Sequence, residues 1–131
     1  MNILITLPKH LLDKIILGKK KYEMRKCLPK NMKLGVDGFF VVEKGTDKVR
    51  CWCRVDSVIN TSVDVCVAER LSEDLCVSPQ FILDYAHAGK DVWLWEIGEV
   101  KKIEGLCRDY LGVAKNPQQF VYCPFSYGDS N

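Results

Sequence analysis

The chain opens on Asn2-Ile3-Leu4-Ile5-Thr6-Leu7, a short apolar stretch that reads as a first strand, and then changes period. From Pro8 to Leu17 the residues Leu11, Leu12, Ile15 and Ile16 share one helical face. Pro8 suits the first turn, and Gly18 stands where helices stop. Tyr22–Cys27 alternates as a strand, with Glu23 and Arg25 on one face and Tyr22 and Met24 on the other. A turn at Leu28–Asn31 precedes a strand over Gly38–Glu43, and Lys44–Asp47 reads as a hairpin turn into a long strand, Lys48–Ile59. There Val49, Cys51, Cys53 and Val55 fall on one side and Arg50, Trp52 and Arg54 on the other. Asn60–Asp64 supplies turn and cap residues for a helix over Val65–Leu75. Ser78-Pro79 starts another helix, with Phe81, Ile82, Tyr85 and Ala86 along one face and Gly89 closing it. Val92–Ile103 is an aromatic-rich strand with a bend expected at Gly98, Phe120–Cys123 a short last strand, and Ser126–Asn131 a frayed end. This order predicts one α+β domain over 1–125, a small closed or half-closed sheet with flanking helices, followed by a flexible tail over 126–131.

Composition narrows the class. At 131 residues, 47% hydrophobic and 27% charged, the chain can bury one core without metal or disulfide support. No apolar run approaches the roughly 18–20 residues of a bilayer span, and the apolar start lacks a basic leader and a small-residue cleavage site. Seven cysteines, at 27, 51, 53, 66, 76, 107 and 123, form no C-x-x-C pair. With His10 and His87 as the histidines, neither a disulfide framework nor a zinc site is expected. The expectation is free, mostly buried thiols in a reducing cytoplasm, with no metal and no cofactor. Net charge is +2, yet residues 1–34 hold nine Lys or Arg against Asp13 and Glu23, so that this end carries +7 and the rest −5. A basic end of this kind suits either a solvated loop or a phosphate-bearing partner.

Candidate chemistry concentrates in Gly18-Lys19-Lys20-Lys21-Tyr22-Glu23-Met24-Arg25, just past the first helix. A guanidinium grips phosphate with two donors and an ammonium acts as a point charge, so Arg25 and Lys20 are the candidate phosphate contacts. Glu23 can accept from an exocyclic amine or orient Lys20 and Arg25, and Tyr22, Trp93 or Trp95 can stack on a base. The competing structural readings are an ion pair between Glu23 and Arg25, aromatic residues spent on the core, and solvated Lys19 and Lys21. Arg50-Trp52-Arg54 is a second basic–aromatic face, read first as the charged flank of an edge strand. His10, near the helix start, can meet an anion. No glycine-rich phosphate loop and no G-x-S-x-G elbow is present.

The spacing G-x-K-x-x-E-x-R, filled by Gly18, Lys20, Glu23 and Arg25, resembles the signature of the ASCH domain, a member of the PUA-like superfamily. Two further stretches, Cys76–Phe81 continuing through Gly89–Ile97 and Asn116–Tyr122, are similar to small phage and bacterial members. The resemblance implies a small PUA-like β-barrel with flanking helices and a cleft bordered by the motif. It also implies a role in handling RNA or nucleotides; together with the side-chain chemistry above, Lys20, Tyr22, Glu23, Arg25 and Trp95 are the expected ligand-binding residues. Some family members are acetylcytidine amidohydrolases that use a lysine and a threonine of this motif, and RNA cleavage also occurs in the family. The lysine matches Lys20, but the threonine position is Glu23, which removes the acyl-accepting hydroxyl. Thr6 is the other nearby hydroxyl. If the chain is an enzyme, Lys20 and Glu23 are the acid–base pair, acting on a modified nucleoside or on RNA. The expected partner is RNA, a nucleotide or a modified nucleoside, with no membrane. An adaptor using the tail from Pro124 to Asn131 is the third reading.

Overall fold

The computed structural model describes residues 1–87 and 90–124. Gly89 and the tail over 126–131 lie outside the described residues. The elements are β1 (Asn2–Leu7), α1 (Lys9–Ile16), β2 (Tyr22–Arg25), β3 (Gly38–Glu43), β4 (Lys48–Ser62), α2 (Val65–Leu75), α3 (Pro79–Ala86), β5 (Asp91–Cys107) and β6 (Val121–Cys123). A single 3₁₀ turn, Arg108–Leu111, follows β5.

All six strands form one sheet in the order β2-β5-β4-β3-β1-β6. β1 runs parallel to β3, as a strand returning through a helical crossover can; the other neighbours are antiparallel. Both faces of the central strands are covered, which is why β1 and β3 read as nearly unbroken apolar runs. On one face Ile3, Ile5, Phe39, Val41, Cys51, Cys53, Val55 and Trp95 pack under Leu11, Leu12 and Ile15 of α1. On the other, Leu4, Phe40, Val42, Val49, Trp52 and Ile103 pack under Leu111 and Val113. A third cluster seats α2 and α3 against β2 and β5 through Met24, Ala68, Leu75, Ile82, Ala86, Val92 and Leu94.

Three expectations are corrected. Among the described residues the expected barrel is an open sheet: β2 pairs with β5 alone and β6 with β1 alone. Its two margins, four and three residues long, are joined by side chains instead of a ladder. Arg25 Nη1 donates to the Gln119 carbonyl at 3.0 Å, and the Tyr122 hydroxyl accepts the Lys30 N–H at 2.9 Å. β4 is an interior strand, so its charges do not guard an edge. Arg50 pairs with Glu43, Arg54 with Asp56 and Glu99, and Trp52 is buried. A register shift between Val49 and Cys51 also moves Val49 to the face that holds Trp52. All seven thiols are free, but burial is uneven: Cys51, Cys53 and Cys123 are buried, whereas Cys27 and Cys66 are exposed. No helix among the described residues is long and apolar enough to cross a membrane.

Candidate functional site

The local chain path at the motif follows from one glycine. Gly18 takes φ +76°, and its N–H and that of Lys19 close back on the Ile15 and Lys14 carbonyls. The chain leaves α1 turned toward the carboxyl end of α2, where Lys21 N–H donates to the Asp74 carbonyl at 2.7 Å. Lys20 follows it inward, and its ammonium donates to the Leu75 carbonyl at 3.2 Å. That is the favourable end of a helix for a cation. β2 then fixes alternation: Glu23 lies opposite Trp95 and Arg25 opposite Trp93, while Met24 packs with α2 and α3.

These elements assemble a buried triad. Glu23 Oε1 lies 3.3 Å from Lys20 Nζ, and its Oε2 accepts from Arg25 Nε at 2.7 Å. Lys20, Glu23 and Arg25 are 4%, 3% and 7% exposed. Ionised groups so far from water persist only when paired and hydrogen-bonded, and this set is both. Both Glu23 oxygens are engaged, so the carboxylate orients the two cations instead of standing free for a base. Among the described residues, Arg25 Nη2 and one N–H of Lys20 have no protein acceptor.

The triad lines a hollow of about 520 Å³. Its walls come from Leu7, Pro8 and Leu11 on one side, and from Leu75, Val77 and Phe81 on the other, with His10, Lys44 and Ser78 also on the lining. Glu23 is the single acid among these residues, against Lys20, Arg25 and Lys44, so the cavity is electropositive within apolar walls. The amino end of α1 opens here too and adds partial positive charge. Tyr85 borders the triad; burial pushes its phenol above the ordinary value, against the pull of Arg25. The hollow has the size and polarity balance of a small-molecule pocket.

Two expected ligand residues are elsewhere. Trp95 is fully buried, 5.7 Å from the Phe39 ring and 6.5 Å from Phe120, so neither of its faces is open to a base. Tyr22 packs on the opposite side of β2, against the α2–α3 cluster. Thr6 donates to the Pro117 carbonyl at 2.8 Å and does not line the hollow. The walls missed in sequence are Lys44, Ser78, Phe81 and Tyr85. Phe81 and Tyr85 were legible as apolar positions at i and i+4, but so were the core residues Ile82 and Ala86, one position along each. Among the described residues, no three His, Cys, Asp or Glu side chains gather in a metal-binding cluster.

No protein-family model and no curated protein matches the chain. Solved structures do. The ASCH protein of Zymomonas mobilis superposes with a TM-score of 0.73 at 17% identity, covering 92% of this chain and 86% of that one. A serine-to-alanine variant of that protein gives 0.75 at 18% identity, covering 92% and 87%. A tyrosine-to-phenylalanine variant gives 0.73 at 18%, covering 92% and 88%. The chain therefore has the ASCH-domain fold.

Proposed function

We propose, with that fold as premise, that this is a PUA-like ASCH protein that binds a nucleoside phosphate in the hollow around Lys20, Glu23 and Arg25. The ligand is a free nucleotide or one unit of a single-stranded RNA. One observation carries the reading: two cations and one carboxylate, each more than nine-tenths buried, line an otherwise largely apolar cavity, and among the described residues Arg25 Nη2 and one N–H of Lys20 meet no protein acceptor. Maintaining such a set away from water is costly, and a phosphate of about −1.5 to −2 charge complements it. Lys44 adds a further positive charge on the lining.

Recognition is favoured over turnover by the same geometry. Glu23 is held between Lys20 and Arg25, and Thr6 is committed to Pro117. The Ser78 hydroxyl accepts the Phe81 N–H at the start of α3. Thr6 is therefore not available to Lys20 as an acyl-transfer nucleophile.

The test is a titration of nucleoside monophosphates and a short single-stranded RNA at about 50 and about 200 mM salt, where phosphate contacts make affinity fall steeply. Lys44 is exposed, so Lys44→Ala preserves the fold. It is expected to weaken binding and to reduce the RNA salt slope by about 0.7, the share of one phosphate contact. RNA binding at least tenfold tighter than the monophosphate identifies a strand as the ligand, and equal affinities identify the free nucleotide. Binding that ignores both salt and Lys44 sinks the proposal.

A further inference from the structure

We infer that α3 supplies the base seat of this hollow, with the Phe81 ring as the stacking surface and Tyr85 behind it; this rests on the nucleotide-binding reading above. The residues of α3 divide between two environments. Ile82 and Ala86 are buried in the third cluster, whereas Phe81, one position before Ile82, is 51% exposed and lines the cavity. A phenylalanine left half in water, on a helix that has a core face available, forfeits burial. Here its exposed surface belongs to the same hollow as the charged triad, so an apolar and a cationic surface meet in one cavity.

Tyr85 stands four residues after Phe81, on the same side of the helix, and also lines the cavity. Lys26 Nζ sits 5.0 Å over its ring, so one Tyr85 face is already covered by a cation and the ring is held in place. Phe81 carries no such cover among the described ring and cation contacts. The triad and Lys44 take the phosphate, and the flat ring of Phe81 takes the base. Every base has a π face, so this seat binds the four bases with little preference.

The experiment compares the four ribonucleoside 5′-monophosphates with ribose 5-phosphate, which carries the anion without the base. Phe81→Ala is expected to weaken each nucleotide about tenfold and to leave ribose 5-phosphate unchanged, while Phe81→Trp retains or tightens the nucleotides. Thermal melting of both variants establishes that the fold is intact. If Phe81→Ala leaves nucleotide affinity unaltered while Lys44→Ala still weakens it, the base seat is wrong and the phosphate reading stands. If Phe81→Ala weakens ribose 5-phosphate as much as the nucleotides, the ring is not a base seat either. If the wild type binds no nucleotide at all, both fall.

Discussion

Lys20, Glu23 and Arg25 illustrate how differently two ion pairs can weigh. Glu23 neutralises two cations inside the protein, so Glu23→Gln leaves them buried with half their partner, a loss of about 3 kcal/mol. A urea titration reads this as a lowered midpoint at unchanged slope. The Lys9–Asp13 pair is the contrast. It is formed at 2.7 Å on the outside of α1, and the neighbouring Lys9 holds the Asp13 carboxyl below its usual range. Lys9→Ala is expected to leave the same midpoint in place, because water screens an exposed pair. The thiols sort by burial in the same way. A chromogenic disulfide reagent is expected to modify Cys27 and Cys66 rapidly at neutral pH. Cys107 follows slowly, its thiol pushed up by desolvation and by Asp47 and Asp109, and Cys51, Cys53 and Cys123 react only in denaturant. Fast reaction of either residue of the Cys51–Cys53 pair would contradict the packing of β4.

At the scale of elements, β3 and β4 approach so closely at Gly38 that an added Cβ would fall on the Cys53 carbonyl, which is backbone and cannot step aside. Gly38→Ala is expected to cost about 3 kcal/mol, seen as a lowered melting temperature. Ser78→Ala, which removes the cap that accepts the Phe81 N–H, is expected to cost about 1 kcal/mol. Most elements were legible because their signals are local. Gly18 ended α1, Ser78-Pro79 began α3, and the bounds of β3 and α2 match the alternation and the turn residues around them. Other boundaries moved: β4 runs on to Ser62 and β5 to Cys107, since cross-strand pairing sustains them past the turn residues. Order within the sheet was not legible, because it depends on which edges meet. The site divides along the same line. Spacing brought Lys20, Glu23 and Arg25 together, since two of them share a strand face and the third stands three residues before Glu23, in the segment that joins α1 to β2. For Trp95 both a core and a stacking role were open, because periodicity gives a face and not what covers it; its side of β5 is roofed by β1, β3 and α1, which leaves the core role.

For the whole molecule, the thiols also set an alkaline limit. Burial raises Cys123 to about 11 from 9.0, and burial with the Cys51 thiol beside it raises Cys53 as well. A thiol whose folded pKa exceeds its unfolded one stabilises fully below about pH 9, and that contribution disappears as pH climbs through the folded value. The melting-temperature gap between wild type and Cys123→Ala is therefore expected to narrow from pH 8 to pH 11. A constant gap would show that the thiol ionises at the same pH folded and unfolded, so that burial does not shift it. The open sheet has a consequence of another kind. A single guanidinium both fronts the cavity and, through Gln119, sutures the segment ahead of β6 to the far margin. Occupancy and the breathing of that seam thus share one mechanical element. On the nucleotide-binding proposal, a guest anion that draws on Arg25 is expected to alter the seam between β2 and the segment ahead of β6, and amide exchange along Val121–Cys123 becomes a remote gauge of whether the cavity is filled.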